Sequence, residues 1–338
     1  MLVSAADARA LGIHILKGCG IPELHACTQI DLLLDAELSG RASHGLLRLN
    51  RIVERIRNGV TSPTATGRHE WRGQACLEVD GEMGLGPVVA LEALRRIVDC
   101  ASRTGVALAA VRNNNHLGML AWYVERVASE GHVCIAMTTS EALVHPWGGR
   151  RAMVGTNPLA VGVPAHPEPL VLDMATSVVS MGKIHDYAHR NQPIPPHWAL
   201  DAAGNPTTDA VAAKAGAIAP FGDAKGYAMG LALEVLVSAL SGAAIGTDVH
   251  GTLDSTAVCN KGDVFIVVHS MAMPDMVSRV TDYLDAVRAC PPMAGMAAVT
   301  IPGDRSRAAR AQRMKDGISI ADTVWLQLQS LAEGVTTQ

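Results

Sequence analysis

Apolar positions recur at helical spacing along the 338-residue chain, and short β-branched runs lie between these stretches, so helices and strands alternate. The opening MLVSAADARALGIHILKG reads as an amphipathic helix. Pro22 and Glu23 begin another that closes at Gly40, with proline in the first turn and glycine past the end. Leu49, Ile52, Val53 and Ile56 share one helical face, and Asn58-Gly59 ends that segment. Residues 75–79 read as extended, and 86–104 as a helix stopped by Gly105. Strands at 106–111 and 132–138 follow, with a helix at 117–130 between them. Prolines and glycines crowd 145–158 and 193–206, which predicts loops. Further strands are expected at 159–163, 170–172 and 264–268, and helices at 225–240 and 274–289. The pattern is that of an α/β or α+β protein with no internal repeat.

Composition narrows the classes. Hydrophobic residues make up 49% of the chain and charged residues 18%, enough apolar material for a large core. A net charge of −4 leaves no basic footprint for nucleic acid and no polybasic patch for a membrane. The N-terminus carries Asp7 early and does not have a secretory pattern. The apolar run 226–246 is long enough to span a bilayer. Glu234 in its middle, with Gly230, Ala232, Ser238 and Gly242, predicts a helix buried in protein instead. Seven scattered cysteines without a C-x-x-C pair argue against disulfides and a cysteine zinc site, and for a reducing cytoplasm.

Gly84-Leu85-Gly86 before an apolar helix suggests a dinucleotide fingerprint, but Val89 stands where the third glycine belongs, so a turn leading into a helix is the better reading. Ser43-His44-Gly45-Leu46-Leu47-Arg48 lies at a loop-to-helix junction. Ser43 is placed to cap, and Arg48 follows His44 by one helical turn, which puts both on one face. The structural alternative is a cap serine, a capping histidine and a surface arginine. The functional one is a proton donor, since imidazole titrates near neutrality, beside a guanidinium whose planar fork matches a carboxylate. A second histidine, His116, follows the strand that ends in Asn113-Asn114-Asn115. Asp173 ends another strand ahead of Met174-Ala175-Thr176-Ser177, and Lys225 stands at the mouth of the apolar helix. Taken singly, these read as a helix cap, an N-cap and a solvated helix start. No G-x-S-x-G supports a serine hydrolase, and no H-E-x-x-H supports a metallohydrolase; the His185/His189 pair reads as a solvated face. A non-catalytic binding protein would have no need of both histidines.

In one order, SHGLLRL (43–49), NNNHLG (113–118), PWGGRRAMVGTNPLAVGVP (146–164), LDMATS (172–177), MGKI (181–184), WALDAAGNPTTD (198–209), GDAKGYAMGLALEVL (222–236) and IPGDR (301–305) resemble the malate/L-lactate dehydrogenase family of the second type. Its members act on malate, sulfolactate, ureidoglycolate, diketogulonate or cyclic imino acids. The resemblance implies a homodimer with a non-Rossmann α/β fold, its mixed, partly antiparallel sheet flanked by helices. It divides the chain into a helical part at 1–75, packed with 285–338, and a cofactor- and substrate-cleft part at 76–284. It implies an NAD(H)- or NADP(H)-dependent oxidoreductase of a small 2-oxo acid and its 2-hydroxy acid, or a reductase of a cyclic imino acid. No metal is implied. His44 or His116 would transfer the proton, with Ser43 beside them, Asp173 would orient the histidine, and Arg48 would grip the substrate carboxylate. Cofactor contacts fall on Ser140, Met174, Ala175, Thr176, Lys225, Gly303, Asp304 and Arg305. Gly148 helps shape the cleft on the cofactor side, and Thr156 and Asn157 on the substrate side. Arg305 could meet a 2′-phosphate or simply begin a surface helix. Glu141 stands where some relatives carry aspartate, and 247–261 matches poorly where substrate-selecting residues are expected.

Overall fold

The computed structural model describes residues 1–269 and 275–336. Strand β1 (Leu2–Val3) leads into α1 (Ala5–Gly18), whose N-terminus is capped by Ser4 Oγ accepting from Asp7 N at 3.0 Å, and then α2 (Glu23–Leu38). Helix α3 (Leu49–Arg57) precedes β2 (Arg68–Trp71), β3 (Cys76–Asp80), α4 (Gly86–Thr104), β4 (Val106–Arg112), α5 (Ala121–Ser129), β5 (His132–Thr138), β6 (Leu159–Val163) and β7 (Leu170–Met174). A small lobe holds α6 (Met181–His189), β8 (Ala199–Leu200), α7 (Ala210–Lys214) and β9 (Ala217–Ile218). The chain then forms α8 (Ala224–Ser241), β10 (Asp263–His269), α9 (Met276–Arg288), α10 (Asp304–Asp316), β11 (Ile318–Ser319) and α11 (Asp322–Thr336).

Seven strands form one mixed sheet in the order β2-β3-β4-β10-β5-β6-β7. Only β3–β4 is parallel, because α4 carries the chain back across the sheet between them. Alternate residues face opposite sides. Val79, Val111, Ala136 and Phe265 pack under α4 and α5 through Ala93, Ile97 and Tyr123, while Met137 and Val264 meet Leu233 and Val237 of α8 on the other face. A second core joins α1, α2, α3 and α11 through Leu16, Ile30, Leu33, Val53 and Trp325. The expected fold class, a mixed sheet flanked by helices, is the one observed.

Strand register explains why the distant motifs meet. Asp80 lies opposite Arg112, Asp263 opposite both Val111 and Thr138, and Leu159 opposite both Met137 and Met174. The C-terminal ends of β3, β4, β5 and β7 and the starts of β6 and β10 therefore share one sheet edge, and the loops carrying residues 113–118, 139–141, 156–157, 174–177 and 261–263 leave from it.

Several expectations need correction. The helix predicted from 117 begins at Ala121, since residues 117–120 form the turn that serves His116. Strand β7 runs on to Met174. Pro274, the expected start of the last predicted helix, lies outside the described residues. Helix α8 is not wholly buried: Gly226, Gly230, Leu233, Glu234 and Val237 face inward, while Leu231, Val235, Leu236 and Leu240 are exposed. Glu234 takes its inward place because its carboxylate accepts from Gly155 N, Asn157 Nδ2 and Gly246 N.

Candidate active site

The 43–48 segment is not a helical turn. It forms two single 3-10 turns, Ala42–His44 and Leu46–Arg48, separated by extended Gly45 (φ −92°, ψ −152°). Ser43 therefore sits inside the first turn and caps nothing. The cause lies in α2: buried Glu37 accepts from Leu46 N at 2.8 Å, and any Cβ at position 45 would strike its carboxylate. Burial pushes the Glu37 carboxyl up to about 7 despite that bond. The break still brings the expected side chains together. Ser43 Oγ lies 3.0 Å from His44 Nδ1, and Arg48 Nε donates to Ser43 O at 3.0 Å.

His116 comes from the opposite side. Its ring centroid is 5.7 Å from that of His44. Each preceding asparagine fastens the loop: Asn113 Nδ2 donates to Asp80, Asn114 Nδ2 to Asp263, and Asn115 Nδ2 to Met83 O and Gly84 O. Gly86 belongs to this arrangement, not to a dinucleotide fingerprint, since a Cβ there would collide with the His116 carbonyl. Gly118 N donates to His116 Nδ1 at 2.8 Å, which makes Nδ1 an acceptor and leaves the ring proton on Nε2. Burial, then the charges of Arg48, His44, Lys261 and Arg51, hold His116 well below its usual pKa; burial, Arg48 and Arg41 take His44 to about 3. Both rings are neutral at pH 7.

Beside His116 a cleft of about 480 Å³, measured to its open mouth, is lined by Arg48, Arg51, Arg55, Leu33, Leu85 and Thr252 among others, and by no carboxylate among the described residues. Burial and Arg51 lower the Arg48 guanidinium to about 10. Sequence reading missed Arg51 and Arg55, whose only signal is their spacing from Arg48 on one helical face. It also missed the buried pair Lys261–Asp263 behind His116. Asp263 accepts from Lys261 Nζ, Thr138 Oγ1 and Asn114 Nδ2. Glu141 gains a meaning here: Oε1 accepts from Thr252 N, Thr252 Oγ1 and Leu253 N, holding the poorly matched segment over the cleft.

Asp173 does not orient a histidine. Its carboxylate accepts from Ala121 N at 2.9 Å and meets Arg41 Nη1 at 3.4 Å, so it reaches the His44 side only through Arg41. Burial raises its pKa against the pull of Arg41. Asn157 is likewise no open substrate contact: it is fully buried, with Nδ2 donating to Gly230 O and Glu234 and Oδ1 accepting from Ser140 N. Ser140, Thr156 and Thr176 form one hydroxyl cluster, in which Thr156 N donates to Ser140 Oγ and Thr176 Oγ1 to Thr156 O. Met174 and Ala175 are half-buried beside it, Gly148 is exposed at φ 78°, and Lys225 is exposed in the first turn of α8.

A second cavity of about 320 Å³ lies where α10 begins, lined by Ser39, Arg41, Gly303, Ser306, Arg307 and Arg310 among others. Ser39 Oγ is buried there without a hydrogen-bond partner. A hydroxyl in want of a partner fits a polar group there, but Glu125 also lines the cavity and the arginines are already paired, Arg41 with Asp173, Arg307 with Asp304 and Arg310 with Asp35 and Glu125, so a phosphate-bearing group such as a dinucleotide would meet only their remaining N–H groups. Asp304 braces this wall instead of facing the cavity: it accepts from Arg288, Arg307 and Ile301 N, and Arg288 above all depresses its pKa. Arg305 is exposed.

The malate/L-lactate dehydrogenase family profile matches residues 3–329. A solved dehydrogenase from Sinorhizobium meliloti superposes with a TM-score of 0.95 at 48% identity, covering 98% of each chain. A (2R)-3-sulfolactate dehydrogenase (NADP(+)) from Chromohalobacter salexigens is 33% identical over 98% of each chain. The ureidoglycolate dehydrogenase (NAD(+)) of Escherichia coli is 31% identical over 98% of this chain and 95% of its own. The chain belongs to the malate/L-lactate dehydrogenase family.

Proposed function

We propose that this protein is an NAD(P)-dependent oxidoreductase that interconverts a small 2-oxo acid and the corresponding 2-hydroxy acid. The observation that carries the reading is a pair of neutral imidazoles 5.7 Å apart beside the unpaired Arg48 guanidinium. The bound reduced nicotinamide would supply the hydride equivalent to C2. Arg48 binds the substrate carboxylate. His116, with its proton held on Nε2, donates a hydrogen bond to the C2 oxygen. Neutral His44 takes the proton of the C2 hydroxyl as the hydride leaves in the oxidative direction, and the imidazolium so formed returns it to the C2 oxygen in the reverse direction; Ser43 sets its tautomer through Nδ1. Asp173 acts at one remove, by holding Arg41. Ser140, Met174, Ala175, Thr176, Gly148, Lys225, Gly303 and Arg305 are assigned to the cofactor, with Ser39 and Arg41 added from the second cavity; Thr156 shapes the wall between cofactor and substrate.

Purified protein is expected to oxidise NADH or NADPH when mixed with one of pyruvate, oxaloacetate, sulfopyruvate, diketogulonate, piperideine-2-carboxylate and pyrroline-2-carboxylate, or to reduce the oxidised cofactor with ureidoglycolate. Absorbance at the dihydronicotinamide band checks this. Turnover of the cyclic imines alone would move the assignment to C=N reduction, and silence with every substrate and both cofactors would remove it.

The exposed stripe Leu231, Val235, Leu236 and Leu240 on α8 supports a homodimer in which a second copy covers this face. Its seven free cysteines suit a reducing cytoplasm. Val235→Asp/Leu236→Arg is expected to halve the mass measured by light scattering; an unchanged mass would place the interface elsewhere.

A further inference from the structure

The joint between the turns that carry His44 and Arg48 is held from outside the cleft. Each turn closes on itself, His44 N donating to Arg41 O at 2.9 Å and Arg48 N to Gly45 O at 3.0 Å. Their relative placement is therefore set where they meet, at Gly45 and Leu46. Glu37 is the one residue among those described whose side chain bonds to the backbone of that joint, with Oε1 accepting from Leu46 N at 2.8 Å. It is buried and lines neither cavity. Its own position is fixed as well. Glu37 stands in the last turn of α2, and Arg313 of α10 donates through Nη1 to its carbonyl oxygen. Its backbone is thus tied to one helix and its carboxylate to the joint.

Gly45 is fitted to this carboxylate. Its φ of −92° is one that any residue adopts, so the glycine serves space and not conformation. A Cβ at position 45 would lie 2.1 Å from Glu37 Oε1 and 2.4 Å from Cδ, which would push the carboxylate off Leu46 N. Loss of the carboxylate has the same consequence from the other side. The N–H of fully buried Leu46 is left without its partner, and the turn that bears Arg48 is no longer locked to the turn that bears His44.

We propose that Glu37 is a positioning residue for the reaction: with Gly45 it sets the His44 imidazole and the Arg48 guanidinium relative to each other, so that both meet the same substrate. This rests on the roles given to His44 and Arg48 above. Glu37 touches neither substrate nor cofactor in this role. What the joint requires is an oxygen acceptor on a side chain of this length. With its pKa at about 7 the carboxyl is partly protonated at neutral pH, and the uncharged form also offers an oxygen to Leu46 N, so the amide of glutamine can stand in for it.

The test measures kcat and KM with pyruvate, oxaloacetate, sulfopyruvate and diketogulonate, under NADH and under NADPH, in the full-length parent and in Glu37→Gln, Glu37→Ala, Gly45→Ala and Glu37→Ala/Gly45→Ala. Each protein is assayed below the onset of its own thermal unfolding. Glu37→Ala and Gly45→Ala are each expected to lower kcat/KM by about 30–100-fold, as follows a shift of about 1 Å at the reacting groups, with kcat falling through His44 and KM rising through Arg48. Glu37→Gln should stay within about threefold of the parent, because the acceptor is kept. The double variant separates this pairing from two unrelated lesions. Both single changes break one bond, and the space vacated by Glu37 admits the alanine, so the double variant should lose no more than Glu37→Ala alone. Losses that multiply would overturn the proposal. So would full activity in either single alanine variant, or a Glu37→Gln as impaired as Glu37→Ala; all three leave the 2-oxo acid reading intact. Should Glu37→Ala fail to fold, Gly45→Ala and Glu37→Gln decide by the same criteria. Turnover of none of the four acids by the parent would remove the underlying reading and the proposal with it.

Discussion

His44→Ala is expected to lower kcat by about 10²–10⁴, the loss that follows removal of a positioned proton donor. His116→Ala is expected to lose about 10²–10³, as when one hydrogen-bond donor to a developing oxyanion is removed. The ranges overlap, so the alanine variants alone do not separate the roles. The tautomer does. Gly118 N–H occupies His116 Nδ1, and a second proton there would meet that N–H head-on, which fixes His116 as a neutral Nε2–H donor. An amide can take over that duty. His116→Gln should therefore recover part of the activity lost in His116→Ala, because Gln Nε2 still donates. His44→Gln should recover none, because an amide does not transfer a proton at neutral pH. Steady-state kcat for the four variants decides the matter: an active His44→Gln beside a dead His116→Gln would exchange the two roles.

The sequence carried the candidate site in pieces and could not join them. Hydrophobic period and glycine stops placed α4 at Gly86–Thr104 and β5 at His132–Thr138, because those elements obey local rules. The 43–48 segment does not. Its helical spacing is real, but Glu37 from the preceding helix breaks it at Gly45, and nothing within six residues announces a partner from elsewhere. Asp173 failed in the same way. A carboxylate at a strand end invites a histidine, yet Arg41, 132 positions away, had the shorter reach to it. Asn157 looked like a polar cleft residue because burial has no signature in one sequence, and its whole amide turned out to be spent on Ser140, Gly230 and Glu234. The inward face of α8 was legible from Glu234 and the glycines; that its other face stays exposed was not, since an apolar stripe reads alike whether the chain itself or a second copy covers it.

Asp263→Ala is expected to be the most destabilising single change in the site. Lys261 and Asp263 are 2% and 0% exposed, and they pair directly. Taking two such charges out of water costs several kcal/mol each, so the pair by itself contributes little; breaking it is another matter, because the survivor is left charged in a dry interior. Removing Asp263 leaves the Lys261 ammonium without its carboxylate and also frees Thr138 Oγ1 and Asn114 Nδ2, which both donate to that carboxylate. The expected loss is about 3–5 kcal/mol, read as a fall in the urea midpoint at pH 7. The Lys261→Met/Asp263→Leu double variant removes both charges and should return most of it, since an apolar pair of similar volume is often neutral or stabilising. Asn114 ties the consequence to chemistry. It stands two residues before His116, and without Asp263 the loop that holds the imidazole loses one of its fastenings, so kcat should fall even at temperatures where Asp263→Ala is fully folded. A variant as stable as the parent would mean that water reaches Lys261. A stable double variant with full activity would mean that the pair holds neither the fold nor His116.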